Sequence, residues 1–378
     1  MCLLPETKRF MKRLLTLLAL PGLLLADKAP EGMVHIKGAT YLRGTEKGGP
    51  GFPPITEEQP AHKVTVSDFY IDVHEVTNAQ FKKFVEATGY VTQAEKGWSK
   101  KDFPMAPPEA LRPGALVFSG PPTAVQLQGE GAEWQWWRFE EGASWKSPLG
   151  KGSDLKGKDN HPVVCVTWED ANAYAKWAGK RLPTESEWEL AARGGKEGQL
   201  YTWGNDKLPD GKTFLANMFT GEFPHYDSGK DGHVGAAPIK SYPPNAFGLY
   251  DMAGNVWEHC SDYYRPDTYA EFIKKPSDNP KGPEKGVSQP MIGWFMNTGT
   301  WNVPNDLKNQ HPLSLLHVTR GGSFLCHDTY CLRYRPGARH YSESLAPANH
   351  TGFRCAKSIV PAAEGESGEG KHDGSKKD

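Results

Sequence analysis

Two stretches near the start of the chain alternate apolar and polar residues. Residues 33–43 alternate apolar with small or polar side chains, and residues 62–72 do so more regularly. A period of two is typical of half-buried strands. Residues 48–54 between them are rich in glycine and proline, which indicates a loop. The pattern therefore predicts two early strands joined by this loop.

Three threonines stand where helices are predicted to begin. Thr77 precedes a segment with phenylalanines on one face, and Gly89 ends it. Thr184-Glu-Ser-Glu187 is a complete capping box, and Thr167-Trp-Glu-Asp170 resembles one with Asp in the last position. The apolar faces that follow both boxes predict two more helices, which we interpret as structural.

Residues 96–160 show no sustained periodicity. Proline, glycine and aromatic residues dominate them. A long irregular stretch within a compact domain is usually functional or partly disordered. Its aromatic residues favour an ordered loop that walls an active site, with plain structural packing as the alternative. These aromatic residues are Trp134, Trp136, Trp137, Phe139 and Trp145.

Composition supports a fold with many loops. The 378 residues include 41 Gly, 31 Pro and 12 Trp, and 38% are hydrophobic, which is modest for a globular protein. The net charge of −1 gives no indication of a nucleic-acid or anionic-membrane partner.

The N-terminus has the pattern of an export signal. Lys12 and Arg13 precede an apolar run over residues 14–25, which is too short for a comfortable membrane span. We predict a signal peptide over residues 1–26, a domain over 27–360 and a disordered tail over 361–378. A buried N-terminal helix is the alternative, and the start codon is either Met1 or Met11. The predicted location is periplasmic or secreted, with no membrane attachment after the signal is removed.

Five cysteines remain after residue 26, and two of them are close in sequence. Cys326 and Cys331 follow the pair Gly321-Gly322. Their spacing is too wide for a Cys-x-x-Cys redox motif, and no second Cys/His pair completes a zinc site. Two thiolates suit Cu(I), while a structural disulfide is the alternative. The other three cysteines are Cys165, Cys260 and Cys355.

The cysteine motif and its surroundings resemble the formylglycine-generating enzymes, also called sulfatase-modifying factors. The resemblance rests on residues 320–335 and on Gly352-Phe-Arg-Cys355, and extends over residues 70–90, 161–195, 201–205 and 217–258. It implies a mixed α+β fold with little regular secondary structure, the formylglycine-generating-enzyme fold, which is related to the C-type-lectin-like fold.

The resemblance also implies an activity. In this family, Cu(I) and O2 serve to oxidise a cysteine of a sulfatase polypeptide, in an extended Cys-x-Pro-x-Arg segment, to Cα-formylglycine. Cys326 and Cys331 are the implied copper ligands. Ser323 is expected to hydrogen-bond near the metal, and Trp257 and Tyr330 to shape the oxygen pocket.

Other polar residues of the motif are assigned more ordinary roles. His327 is adjacent in sequence to a ligand and is not expected to bind the metal itself. Arg333, Arg335 and Arg354 are expected to form ion pairs.

Oxygen-rich segments of the second half are typical of ordinary turn capping, and they also suit calcium, which binds several oxygens in flexible loops. The resemblance implies two structural Ca2+ sites. The first comprises Asn217, Met218, Asp231 and His233, with Met218 and His233 contributing backbone oxygens. The second comprises Asp251, Gly254, Val256 and Glu258, with Gly254 and Val256 contributing carbonyls.

Two other functions remain open from the sequence. One is a non-catalytic binding module with a Cys326–Cys331 disulfide. The other is a related oxidase with a different substrate. The segment around residues 291–312 is longer than expected for the family, and it precedes the cysteine motif, where it could reshape the substrate cleft. Pro336 and Ala175 stand where some relatives carry disulfide cysteines, which leaves Cys355 without its expected partner. A monomer is expected.

Overall fold

The computed structural model describes residues 29–48, 55–101, 103, 108–274, 278–308, 315–344 and 346–359. The predicted signal peptide, the predicted tail and most of the predicted loop over residues 48–54 lie outside them. The described part has a mixed α+β fold with short elements, as the sequence predicts. It contains no helix that is both long and apolar enough to cross a membrane.

The helices and the strands are each numbered in chain order. The helices are α1 (Asn78–Thr88), α2 (Gln93–Lys96), α3 (Trp168–Trp177), α4 (Glu185–Arg193), α5 (Thr268–Lys274), α6 (Gln289–Thr298) and α7 (Asn305–Lys308). The strands are β1 (Met33–Ile36), β2 (Ala39–Arg43), β3 (His62–Val66), β4 (Phe69–Asp72), β5 (Gly114–Phe118), β6 (Trp137–Glu141), β7 (Gly221–Glu222), β8 (Tyr226–Asp227), β9 (Trp257–Tyr263), β10 (Leu316–Arg320), β11 (His340–Glu343), β12 (Thr351–Gly352) and β13 (Ala356–Ser358).

Two sheets form the centre of the fold. One has the order β1-β4-β13 and is antiparallel. The other has the order β11-β10-β9-β12, in which only β12 runs parallel to its neighbour. The pairs β2–β3, β5–β6 and β7–β8 are antiparallel. Helix α4 packs against the β2–β3 pair and against β9 and β10, and its residues Trp188 and Leu190 are buried in the central core.

Each of the two predicted early strands is in fact two strands. The amide of Gly38 donates to the carboxylate of Asp68 at 2.9 Å. A side chain at position 38 would overlap the backbone of Val66. Both stretches therefore break at this contact, and β1 pairs with β4 while β2 pairs with β3.

The three predicted helix starts are confirmed. Thr77, Thr167 and Thr184 each form a reciprocal capping box with the third residue of the helix that follows. Gly89 and Gly194 end their helices in the left-handed conformation. The structure also contains elements that the sequence analysis did not predict, namely the hairpin β5–β6 within residues 96–160 and the helices α2, α5, α6 and α7.

A second core lies beneath α1 and α3. Phe81 packs against Trp145 and Tyr174 with ring centroids 5.3 and 5.9 Å apart. Trp145 is therefore a structural residue and not part of an active-site wall. Cys165 and Cys355 are buried free thiols, so they pack as small apolar side chains.

Candidate active site

The cysteine pair follows strand β10 after a tight turn. Gly321 and Gly322 both have positive φ, and a side chain at Gly322 would approach the backbone of Tyr334. The amide of Cys326 donates to the carbonyl of Ser323 at 2.9 Å. The carbonyl of Cys326 accepts from the amide of Phe219 at 3.1 Å. These backbone bonds hold Cys326 on both sides.

Ser323 stabilises the same turn through its side chain. Its hydroxyl is fully buried and accepts from the amide of Leu325 at 3.2 Å. The predicted hydrogen bond near a metal therefore remains a prediction, and the bond seen in the structure is to the chain that leads to Cys326.

Two sulfur atoms face each other at the site. The Sγ atoms of Cys326 and Cys331 lie 2.8 Å apart, and both residues are free cysteines. Cys326 is buried, while Cys331 is partly exposed. No group of three or more His, Cys, Asp or Glu side chains in the described ranges is arranged to hold a metal. Two close thiols form a soft donor set that fits low-coordinate Cu(I) better than four-coordinate zinc.

The two thiols differ in acidity. The hydrogen bond from Cys326 and the guanidinium of Arg333 lower the pKa of Cys331 to about 6, against the opposing effect of burial. Burial raises the pKa of Cys326. Arg333 is held in turn by Glu57, whose carboxylate lies 3.0 Å from its Nη2 atom. These opposite shifts favour the thiolate at Cys331 over the thiolate at Cys326.

Iodoacetamide is expected to alkylate Cys331 in the reduced protein at a rate that rises with pH, with a midpoint near pH 6, and then levels off. The thiolate is the nucleophile, so its fraction sets the rate. Burial raises the pKa of Cys165 and Cys355, and these residues should react slowly. Mass spectrometry of proteolytic peptides gives the rate for each cysteine. The fast reaction should disappear in Cys331→Ser, and a midpoint at the ordinary thiol pKa of about 8.5 would contradict the assignment.

Aromatic side chains surround the cysteines. Tyr330 stacks on Phe223 with ring centroids 4.6 Å apart and lies edge-on to Trp136 at 5.5 Å. Trp257 is buried in one cluster with both cysteines, and the ring of His340 lies 5.4 Å from it. Trp136 therefore takes part in the predicted wall, whereas Trp145 does not.

The remaining motif residues have ordinary partners. The Nδ1 atom of His327 lies 2.8 Å from the hydroxyl of Thr329, which is a hydrogen bond within the loop. Arg335 pairs with Glu58 at 2.7 Å and Arg354 with Glu258 at 2.6 Å. The expectation that the arginines form ion pairs is confirmed.

The structure brings together the first predicted calcium set. The amides of Met218 and His233 donate to the two oxygens of Asp231 at 2.9 and 3.2 Å. Burial raises the pKa of Asp231. Asn217 donates its side-chain amide to Asn255 at 3.0 Å. Carboxylate and amide oxygens in such a loop fit a hard cation, and a cation would stabilise the ionised form of Asp231.

The second predicted set lies beside the first, because Asn217 and Gly254 form a backbone bridge. Within it, the carboxylate of Glu258 is bound by Arg354 at 2.6 and 2.7 Å and by the indole of Trp188 at 2.7 Å. Glu258 is therefore already neutralised by an arginine, which makes it a weaker candidate ligand than the pattern indicates.

Two more buried carboxylates lie at the second set, namely its member Asp251 and the neighbouring Glu75. Burial raises the pKa of Asp251 to about 6. Burial and the charge of Asp251 raise the pKa of Glu75, which donor bonds from Asn255 and Val256 hold in place at 2.7 and 3.2 Å. A divalent cation would relieve this repulsion. Calcium stays a prediction at both sets, and Glu75 is a further candidate ligand that the sequence analysis missed.

Comparisons with known proteins give a family and several named relatives. The model of the sulfatase-modifying factor enzyme 1-like domain family matches residues 24–359. The formylglycine-generating enzyme of Streptomyces coelicolor is 41% identical over 336 residues, which is 89% of this chain and 92% of that protein. The formylglycine-generating enzyme of Mus musculus is 37% identical over 337 residues, 88% of this chain and 76% of that protein.

Two further similarities bear on fold and catalysis. The solved structure of PvdO from Pseudomonas aeruginosa has a TM-score of 0.53 and 22% identity, and the match covers 86% of this chain and 94% of that one. It shows a shared fold alone. A Mus musculus protein named inactive C-alpha-formylglycine-generating enzyme 2 is 41% identical over 257 residues, 67% of this chain and 76% of that protein. Overall sequence identity therefore does not show whether a member of the family is catalytic. That conclusion must rest on the residues of the site.

Proposed function

Because the chain belongs to the sulfatase-modifying factor family, and several relatives that match most of it are named formylglycine-generating enzymes, we propose that it oxidises a cysteine of sulfatase polypeptides to Cα-formylglycine. The proposed target is an extended Cys-x-Pro-x-Arg segment. The net change replaces the thiol and one Cβ hydrogen by a carbonyl oxygen. It consumes O2 and two electrons from a reductant, and releases hydrogen sulfide and water.

The observation that carries the proposal is the pair of free sulfurs at 2.8 Å, one buried and one partly exposed. Cys326 and Cys331 would hold Cu(I), which would supply the activation of O2. The exposed side of Cys331 leaves room for a substrate thiol to approach. Arg333 would keep Cys331 ionised, because its guanidinium stabilises the thiolate.

The aromatic residues would position the peptide and exclude water. Tyr330 is 41% exposed and rests on Phe223, so it offers a flat apolar surface beside Cys331. Trp257 is buried against the cysteines, where it would limit access to the sulfurs from behind. Exclusion of water at such a site strengthens its electrostatic interactions.

Calcium and export belong to the same proposal. The two predicted calcium sets, with Glu75 as a further candidate ligand, would hold Ca2+ in a structural role, in loops that have few strands or helices of their own. A signal peptide over residues 1–26 would send the protein to the periplasm or out of the cell, where it would act as a monomer on exported sulfatases.

The experiment incubates a synthetic Cys-x-Pro-x-Arg peptide with protein lacking residues 1–26, Cu(I), O2 and a mild reductant. Wild type should convert the peptide to a product that has lost the mass expected for thiol-to-aldehyde oxidation and that an aldehyde reagent traps. Cys331→Ser should give no product, because one of two sulfur donors is missing. Copper binding is measured in parallel by competition with a chromophoric Cu(I) chelator.

The alternatives give other results. The similarity to a relative named inactive supports testing for a non-catalytic binding module. Such a module would neither bind copper after reduction nor convert the peptide. An oxidase for another substrate would bind copper and leave this peptide unchanged. Either result would overturn the proposed function.

A further inference from the structure

The loop between the two cysteines forms one tight turn. The amides of Tyr330 and Cys331 both donate to the carbonyl of His327, at 3.0 and 2.8 Å. Cys326 is fixed by backbone bonds to the buried chain, as described above. Cys331 is carried by this turn, so the distance between the sulfurs depends on where the turn is held.

Asp328 holds the outer side of that turn. One carboxylate oxygen accepts from the hydroxyl of Tyr334 at 2.5 Å, and the other accepts from the ammonium of Lys207 at 2.5 Å. Hydrogen bonds to a charged carboxylate are stronger than neutral ones. A partly exposed side chain is thereby tied to two partners outside its own loop.

The two partners differ in rigidity. Tyr334 is fully buried, and its ring stacks on Tyr201 with centroids 5.8 Å apart at 15°. It also packs in the same cluster as Cys326 and Trp257. Lys207 is a longer, more exposed side chain, and ion pairs of that kind contribute little to stability. The fixed point of the tether is therefore the hydroxyl of Tyr334.

We propose that Asp328 is a positioning residue, which anchors the turn to Tyr334 and so keeps the sulfur of Cys331 within reach of Cys326. Its importance for catalysis rests on the proposed function, but its effect on the two thiols does not. Restricting the turn raises the effective concentration of one thiol at the other, since fewer conformations place the sulfurs apart. The same restriction would favour any ligand that both sulfurs must bind.

Thiol–disulfide exchange measures this effective concentration directly. One glutathione disulfide oxidises the two thiols to a Cys326–Cys331 disulfide and releases two glutathione thiols, so the equilibrium constant reports how well the sulfurs meet. The purified protein is equilibrated in glutathione buffers, quenched by acid and analysed by mass spectrometry. Affinity for Cu(I), measured by competition with a chromophoric chelator, is the second readout.

Tyr334→Phe keeps the buried ring and removes only the hydroxyl that binds Asp328. This variant and Asp328→Ala should each lower the exchange constant about tenfold, the size of a direct hydrogen-bonded coupling. The double variant should be no lower than Asp328→Ala alone, because both changes break one tether. Lys207→Met should change the constant less than about twofold. The matched control Tyr90→Phe removes a hydroxyl that binds Asp170 at 2.9 Å in the other core, and it should match wild type. Cu(I) affinity should follow the same order.

Two outcomes would overturn the proposal. One is an exchange constant in Tyr334→Phe and Asp328→Ala equal to that of wild type. The other is a double variant whose loss is the product of the single losses, since the two residues would then act independently. Thermal unfolding of each variant distinguishes a positioning role from a purely structural one. A purely structural role would lower the Tm and leave the exchange constant unchanged. The exchange experiment needs no peptide, copper or O2. If the exchange constants change as expected but the peptide is not oxidised, the proposed function is wrong and the positioning role of Asp328 still holds.

Discussion

Replacing Glu185 by glutamine is expected to destabilise the folded protein by roughly 3–5 kcal/mol, a large share of the stability of a typical domain. Glu185 is the first residue of α4 and is completely buried. Its carboxylate contacts Arg43 at 2.5 Å, Arg339 at 2.7 Å and Arg320 at 3.0 Å, and all three guanidinium groups are buried as well. These arginines lower the pKa of Glu185 far below its usual range, against the effect of burial.

The loss follows from the charges that stay behind. Glutamine has nearly the shape of glutamate, but it leaves three buried guanidinium groups facing a neutral amide. Glu189 remains to pair with Arg320 at 2.6 Å and with Arg193 at 2.6 Å. In the variant, the single carboxylate of Glu189 would face four arginines and could not neutralise all of their positive charges. A buried charge without a partner destabilises the folded state by several kcal/mol. Chemical denaturation followed by tryptophan fluorescence gives the change in the free energy of unfolding.

Glu187→Gln is the matched control for this prediction. It makes the same chemical change two residues later in the same helix. Glu187 pairs with Arg181, whose side chain is 35% exposed, and glutamine can still accept the capping bond from Thr184. The expected loss is at most about 1 kcal/mol. Equal effects of the two variants would show that the buried arginines tolerate the loss of the Glu185 charge.

Features that depend on neighbouring residues could be predicted from the sequence. The capping boxes at Thr77 and Thr184 place donor and acceptor three residues apart, so the helix starts are visible in a short window. Cys326 and Cys331 are likewise close in sequence, and the turn between them brings the sulfurs together. Helix α6 had such signals too, since Pro290 lies in its first turn and Gly299 ends it.

Features that depend on distant residues could not be predicted from the sequence. Arg333 is positioned by Glu57, which is 276 residues away. Glu75 binds Asn255 across 180 residues. The break at Gly38 requires Asp68, which follows 30 residues later. No local pattern relates such partners, because the fold alone brings them together. The same reason explains why the pairing of Glu258 with Arg354, which weakens it as a calcium ligand, was not visible from its motif.

Gly254 lies where the two predicted calcium sets meet, and it has no room for a side chain. Its φ is +73°, a conformation that costs other residues about 1–2 kcal/mol. A methyl group there would also overlap the carbonyl oxygen and carbon of Asn217. These are backbone atoms, so they cannot yield by a change of rotamer. The amide of Asn255 donates to this same carbonyl at 2.9 Å, which fixes it further.

Gly254→Ala is therefore expected to destabilise the protein by more than about 4 kcal/mol, which is exceptional for one methyl group. Gly248→Ala is the control. Gly248 has a φ of +80°, but a methyl group there would meet nothing within 4 Å, so only the conformational cost of about 1–2 kcal/mol applies.

The measurement is the free energy of unfolding of both variants in calcium chelator and in excess Ca2+. If the Asn217–Gly254 contact organises the predicted calcium ligands, added Ca2+ should stabilise wild type and Gly248→Ala and leave Gly254→Ala unchanged. Equal losses in the two variants would mean that the Asn217 backbone moves aside, and that the close approach is not required by the fold.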